Sequence, residues 1–230
     1  MKLAPRTLGW IAALSLALNA AVAIAWTARR VHHRAAPATI GREQARAELF
    51  HALTQPRDVV LIGDSLTDRG EWAELLGRPV ANRGIANDSI ADVRARLGDL
   101  AALEPHTVFL LIGVNDLMAG ASPEAMAADH AALVGELRRR LPRARLVIES
   151  LLPIRDELIA RDEPLATPTV QRANQLLARN AAAAGADWLD LTAALADRSG
   201  QLDPRYSSDG LHLSGAGYRA WAAALAPYLP

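Results

Sequence analysis

The chain contains no cysteine, which excludes disulfides, thiolate metal sites and a cysteine nucleophile together. That absence does not identify a compartment, since a disulfide-free enzyme works on either side of a membrane. Aromatic residues make up only 4% of the sequence, and 25 Lys and Arg balance 25 Asp and Glu, for a formal net charge of zero. A neutral chain has no global field drawing in nucleic acid or acidic substrates. No basic cluster alternates with aromatics either, so nucleic acid is not an expected partner. Internal repeats are also absent. What the chain does have is apolar bulk. Of its 230 residues, 51% are hydrophobic, enough for one α/β domain with a substantial core and a short terminal extension.

The sharpest change in composition lies at the start. No residue from Thr7 to Ala28 is charged, and the run from Leu8 to Trp26 is mostly Leu, Ala, Ile and Val. A helix of about 20 apolar residues spans a bilayer core, and Trp10 and Trp26 stand near the two ends, where interfacial aromatics belong. Ala21-Val22-Ala23 also offers a small-x-small cleavage site, although the apolar part of a signal peptide is usually shorter, about 7–15 residues. The expectation is an uncleaved membrane anchor over residues 1–28, with an exported (periplasmic or extracellular) catalytic domain. Cleavage would make the protein secreted. Lys2 and Arg6 on one side nearly balance Arg29, Arg30 and Arg34 on the other, so charge sets the orientation only weakly. Residues 29–56 read as a basic linker and a lead-in helix, the helix falling at about 41–53, and residues 57–230 as the folded domain.

From there strands and helices alternate. Short aliphatic runs at 58–62, 79–82, 107–112, 145–150 and 187–191 suit parallel strands covered on both faces. Between them come helical patterns. Residues 89–103 carry Ile90, Val93, Leu97 and Leu100 on one stripe. The pattern over 123–141 starts with Ser122 as N-cap and Pro123 at the first helical position, and repeats Met126, His130, Leu133, Leu137 and Leu141. Residues 168–184 stop at Gly185, and a last helix over 215–228 buries Tyr218, Trp221 and Leu225. Five strands alternating with helices imply a doubly wound α/β fold with a parallel sheet and right-handed crossovers.

Four stretches bear chemistry. Gly63-Asp64-Ser65-Leu66 follows the first strand, Asn82-Arg83-Gly84-Ile85 the second and Gly113-Val114-Asn115-Asp116 the third. Ligands of open α/β sheets bind beyond the carboxyl ends of strands, near the point where strand order reverses. Asp209-Gly210-Leu211-His212 comes just before the final helix. A nucleophilic serine needs a base, and the base needs a partner that fixes its tautomer. Asp209 and His212 meet that need locally. An amide such as Asn115 donates to a developing oxyanion, alongside backbone N–H groups of Ser65 and Gly84. Each stretch alone is also what a turn or a helix cap provides. His106, at a strand start, and His130, on a helix, read as surface residues, and His32, His33 and His51 lie outside the sheet pattern and are poor candidates.

Taken together and in this order, Gly63-Asp64-Ser65, Gly84, Gly113-x-Asn115-Asp116 and Asp209-x-x-His212 resemble the four signature blocks of the SGNH (GDSL) hydrolases. The likeness runs from about Val59 to the C-terminus and leaves the apolar start uncovered. It implies a flavodoxin-like three-layer α/β/α sandwich with a five-stranded parallel sheet, preceded here by the N-terminal apolar helix, and neither metal nor organic cofactor. It implies Ser65 as nucleophile, His212 as base and Asp209 as its orienting acid, with Ser65, Gly84 and Asn115 as the oxyanion hole. The Gly-x-Ser-x-Gly elbow of α/β-hydrolases is absent around Ser65. The expected activity is a serine esterase acting through an acyl-enzyme on a small or short-chain acyl ester, with acetyl groups on carbohydrate as one such substrate. The alternatives are an O-acyltransferase using the same triad and a membrane-tethered, non-catalytic binding module. The segment 151–169, with Pro153, Pro164 and Pro168, is expected to form part of the pocket wall.

Overall fold

A computed structural model describes residues 40–159 and 165–230. The uncharged run from Thr7 to Ala28 lies outside the described residues, as does the anchor or signal role assigned to it. Among the described residues, no helix is long and apolar enough to cross a membrane. Residues from Glu43 onward form one compact unit.

Five strands make a single parallel sheet: β1 (Val59–Gly63), β2 (Ala81–Gly84), β3 (Thr107–Leu111), β4 (Arg145–Glu149) and β5 (Asp187–Leu189), in the order β2-β1-β3-β4-β5. Every residue of β1 and β3 is buried, as their uninterrupted aliphatic runs require of strands covered on both faces. The chain moves outward from β1 to β2, then returns across β1 to start β3. With right-handed crossovers, the helices of the first connection lie on one face and those of all later connections on the other. The first face carries α2 (Ser65–Asp68) and α3 (Trp72–Leu76). The second carries α4 (Ile90–Ala95), α6 (Pro123–Arg140) and α7 (Thr167–Ala183), with the short α5 (Val114–Met118) at the end of β3. The lead-in helix α1 (Arg42–Ala52) precedes the sheet, α8 (Thr192–Leu195) follows β5, and α9 (Gly215–Leu225) closes the chain against α3.

The stripe expected over residues 89–103 is buried throughout, but it is not one helix. Helix α4 stops at Ala95, and Leu100–Leu103 forms a separate 3₁₀ turn. Arg96 is the C-cap, its guanidinium turned inward to donate to Asp88 Oδ2 at 2.7 Å and to the Gly63 carbonyl at 3.2 Å, and Gly98, a poor helix former, follows it. Strand β2 sits two residues later than the 79–82 run suggested, so Gly84 ends the strand and pairs with Gly63.

Three of the ten aromatics form a cluster. Trp72, Tyr218 and Trp221 pack together, with Trp72 edge-on to Trp221 at 4.7 Å and Tyr218 stacked on Trp221 at 6.0 Å. Their polar atoms are used as well. Trp72 Nε1 donates to Thr67 O and the Tyr218 hydroxyl to Leu66 O, each at 2.8 Å, so the cluster grips the helix that begins with Ser65.

Trp221 Nε1 donates to the buried Glu149 Oε1 at 2.6 Å. Burial pushes the Glu149 carboxyl up to about 8, against the opposing pull of that N–H. The folded state therefore holds a proton that the unfolded chain releases above its ordinary value of 4.5. The stability this proton contributes is complete below that value and is lost as pH rises toward about 8. Glu149→Gln keeps an acceptor for Trp221 and cannot ionise. Its melting temperature is expected to exceed that of the parent increasingly from pH 5 to pH 8.5, by about 5 °C at the upper end. A difference that stays constant with pH refutes this.

His130, expected at the surface, is another buried ionisable group, because the apolar stripe of α6 carries it into the core. Neither of its ring nitrogens has a partner among the described residues, and burial holds it down at about 4, so it packs as a neutral ring.

Candidate active site

Strand order reverses between β1 and β3, and parallel pairing to the ends of both (Ile62 with Leu110, Gly63 with Leu111) brings the segments that follow them to one edge. Ser65 opens α2 there. As the first helical residue, its N–H has no carbonyl partner within the helix. Asp64 caps the helix, accepting from Leu66 N at 2.9 Å. Fully buried, its carboxyl is pushed up to about 7, chiefly by burial; the Leu66 N–H pulls it back, and the charges of Asp88 and Asp116 add to the rise. Gly63 must be glycine, since a Cβ would lie 2.2 Å from Thr67 Oγ1 and 2.4 Å from Leu111 O. This close approach sets α2 against the strand ends.

The histidine arrives on a braced loop. Ser207 and Leu213 form an antiparallel bridge, and between them Gly210 takes φ +83°, which favours glycine. A Cβ there would also meet Arg155 O at 2.9 Å. Arg155 holds the loop from below: its N–H donates to Gly210 O at 2.9 Å, its Nε to Leu202 O at 2.8 Å, and its guanidinium pairs with Asp197 and Glu157. Asp209 Oδ1 accepts from the N–H groups of Leu211 and His212 at 3.0 and 2.7 Å. Asp209 Oδ2 lies 2.8 Å from His212 Nδ1, and His212 Nε2 lies 3.2 Å from Ser65 Oγ. An ionised carboxylate only accepts, so Nδ1 carries the proton and Nε2 faces the serine as an acceptor. Partial burial pushes the Asp209 carboxyl up, but the Leu211 N–H, the His212 ring and the His212 N–H outweigh it and hold it at about 2.

Asn115, on α5, donates from Nδ2 to Asp88 O at 2.8 Å, and the neighbouring Asp116 accepts from Ile90 N at 3.2 Å. These bonds draw the loop 85–88 against the end of β3. One Nδ2 hydrogen of Asn115 remains.

Gly84 does not stand as the sequence suggested. Its N–H donates to Asn82 Oδ1 at 2.9 Å, so its hydrogen is engaged within β2 rather than offered to a ligand. Its lack of a side chain has another use. A Cβ at Gly84 would lie 2.2 Å from Asp68 N, so glycine here lets α2 pack on the strand. Asn82, which the sequence offers only as part of the stretch around Gly84, has a role of its own: its Nδ2 donates to the carbonyls of Thr67, Asp68 and Gly70 at the end of that helix. Asn87 escaped notice in the sequence. It takes φ +66°, a value that favours Gly or Asn, and an asparagine two residues before a serine cap was the available signal.

The proline-containing segment divides. Leu151, Leu152 and Ile154 are buried in the core, and Arg155 braces the histidine loop. Residues 160–164 lie outside the described residues. Among those described, no group of His, Asp and Glu is arranged to hold a metal ion.

A family model, GDSL-like Lipase/Acylhydrolase family, matches residues 61–220. No curated protein matches the chain. Among solved structures, a protein of Streptococcus pneumonia named for platelet activating factor is 28% identical, with a TM-score of 0.72 over 82% of this chain and 91% of that one. A GDSL-like lipase from Bacteroides thetaiotaomicron is 20% identical, with a TM-score of 0.69 over 83% and 98%. A variant of an acetyl-xylooligosaccharide esterase from Geobacillus Stearmophilus is 21% identical, with a TM-score of 0.62 over 76% and 94%. The last two establish likeness of fold.

Proposed function

The chain belongs to the GDSL-like lipase/acylhydrolase family, and we propose that within it the protein is a serine esterase in which Ser65 attacks, His212 is the base and Asp209 orients the histidine. The observation that carries this reading is the unbroken line from Asp209 Oδ2 through the imidazole to Ser65 Oγ, at 2.8 and 3.2 Å. His212 Nε2 takes the serine proton as Oγ attacks the ester carbonyl. The imidazolium that forms is stabilised by Asp209 and returns the proton to the departing alcohol. Water then attacks the acyl-enzyme with His212 again as base.

The oxyanion is held by Ser65 N–H and the remaining Asn115 Nδ2 hydrogen. The third donor we assign is the Asn87 N–H instead of that of Gly84. Asn87 sits on the loop that Asn115 clasps, and its N–H has no acceptor among the described residues. Asn115→Ala is expected to lower kcat by about 10²–10³-fold with KM little changed. A kcat within a factor of about three of the parent, in a folded variant, would remove Asn115 from the hole.

For the substrate we infer a small or short-chain acyl ester. The family acts on esters, the fold is shared with an acetyl-xylooligosaccharide esterase, and the chain has few aromatics with which to line a long apolar channel. In a series of nitrophenyl esters, kcat/KM is expected to be highest for acetate or propionate and to fall as the chain lengthens. A maximum at long chains overturns the substrate class and leaves the triad standing. An N-terminal membrane anchor with an exported domain belongs to the same proposal. It is supported by the uncharged run from Thr7 to Ala28, and N-terminal sequencing of the mature protein separates it from a cleaved signal.

A further inference from the structure

A cavity of about 390 Å³ opens beside β2, the edge strand, and none of Ser65, His212 and Asp209 lines it. Its walls carry three guanidinium groups, Arg46, Arg57 and Arg83, and two carboxylates, Asp68 and Glu71. Arg46 is paired with Asp68 at 2.7 Å, and Glu71 is exposed to solvent. Arg83 is different. It is only 7% exposed, and its hydrogen bonds go to backbone carbonyls alone, Leu53 O at 2.6 Å and Asn82 O at 3.5 Å. The Arg57 guanidinium likewise donates to a carbonyl, Pro56 O at 2.8 Å. A guanidinium has five N–H donors in a planar fork, so both side chains keep donors for whatever enters.

The surroundings add positive charge. Arg83, Arg46 and Arg96 gather on the Phe50 ring at 4.7, 5.2 and 5.6 Å, and Arg96 is paired with Asp88 at 2.7 Å. Each contact with the ring is favourable, but like charges crowded into a half-buried space repel. Burial, and then the charges of Arg46, Arg96 and Arg57, hold the Arg83 guanidinium down at about 10, with Asp99 opposing them. A buried cation with no carboxylate of its own gains most from an oxygen anion that satisfies its fork.

We propose that this cavity binds an oxyanion, a phosphate or carboxylate group, between Arg83 and Arg57. Such a group has two sources, a free anion or the headgroup of an amphiphile. Leu49 on α1 and Leu53 just after it, 50% and 48% exposed, line the same cavity and offer an apolar chain a place to lie.

The test is calorimetric titration of the full chain, first with inorganic phosphate at an ionic strength held constant with sodium chloride, then with dodecyl phosphate below its micelle concentration. Saturable one-to-one binding is expected, weakened about tenfold or more in Arg57→Gln, which removes one charge-assisted partner. Arg57 is half-exposed and its side chain is tied only to a neighbouring carbonyl, so this variant keeps the fold where Arg83→Gln endangers it. Equal phosphate affinity in Arg57→Gln and the parent, or no saturable heat with either probe, overturns the proposal. Tighter binding of dodecyl phosphate, with the surplus lost in a Leu49→Ser/Leu53→Ser variant, assigns the amphiphile. Equal affinities assign the free anion. The readout is binding rather than turnover, so its failure is distinct from failure of the esterase reading.

Discussion

Ser65→Ala is expected to lower kcat on a short-chain nitrophenyl ester by about 10⁴-fold or more, and to abolish labelling of the protein by a fluorophosphonate. The loss is this large because the hydroxyl is the only atom of the proposed machinery that bonds to the acyl carbon. Without it the remaining donors and the histidine can act only on water. The fold is expected to survive. Ser65 Oγ makes its hydrogen bond to His212, while the capping of α2 rests on Asp64 and the grip on α2 rests on Trp72, Tyr218 and Asn82. The melting temperature should therefore stay within about 2 °C of the parent. Turnover close to that of the parent in the alanine variant, or fluorophosphonate label recovered on another residue, refutes Ser65 as nucleophile.

Asp209→Asn is expected to cost about 10⁴-fold in kcat while leaving the loop in place. The asparagine side chain still offers an oxygen to the Leu211 and His212 N–H groups, which Asp209 Oδ1 accepts at 3.0 and 2.7 Å. What changes is the partner of His212 Nδ1. An amide NH₂ facing Nδ1 favours the tautomer with the proton on Nε2, which then cannot accept from Ser65. The negative charge that stabilises the imidazolium is lost as well. The pH profile of the parent provides a second check. Asp209 is held at about 2, so it stays ionised throughout the usual assay range, and the acid limb of kcat/KM above pH 4 comes from another group. Its depressed value also fixes a sign for stability: the contribution is present above 3.8 and is lost as pH falls through about 2. A loss below about tenfold in Asp209→Asn would show that the histidine works without its carboxylate.

Much of the sheet was legible because parallel strands buried on both faces leave an unmistakable mark. Val59-Val60-Leu61-Ile62 and Val108-Phe109-Leu110-Leu111 have no other place to go than the centre of the sheet. Ser65, Asn115, Asp209 and His212 were legible as candidates because each follows a strand or precedes the last helix, and because each offers a different part of the proposed reaction. The break after Ala95 was not legible. Hydrophobic periodicity continues through Leu97 and Leu100 and masks the one local signal, Gly98, while the inward turn of Arg96 to Asp88 and the Gly63 carbonyl is visible only in the fold. Gly84 misled for a related reason. A glycine near a strand end serves either a ligand or a packing contact, and the choice depends on Asn82 and Asp68, which meet it from two directions.

The alternation of elements, the burial of the central strands and the types of reactive group available can be read along the chain, because these depend on local pattern and on side-chain chemistry. The tertiary structure alone decided which of those groups meet. Ser65 and His212 are 147 positions apart and come within 3.2 Å only because β1 lies beside β3 and Arg155 lifts the histidine loop to the same edge. It also decided that the arginines of α1 and β2 crowd one ring, since charge counted along a neutral chain carries no information about where buried charges gather.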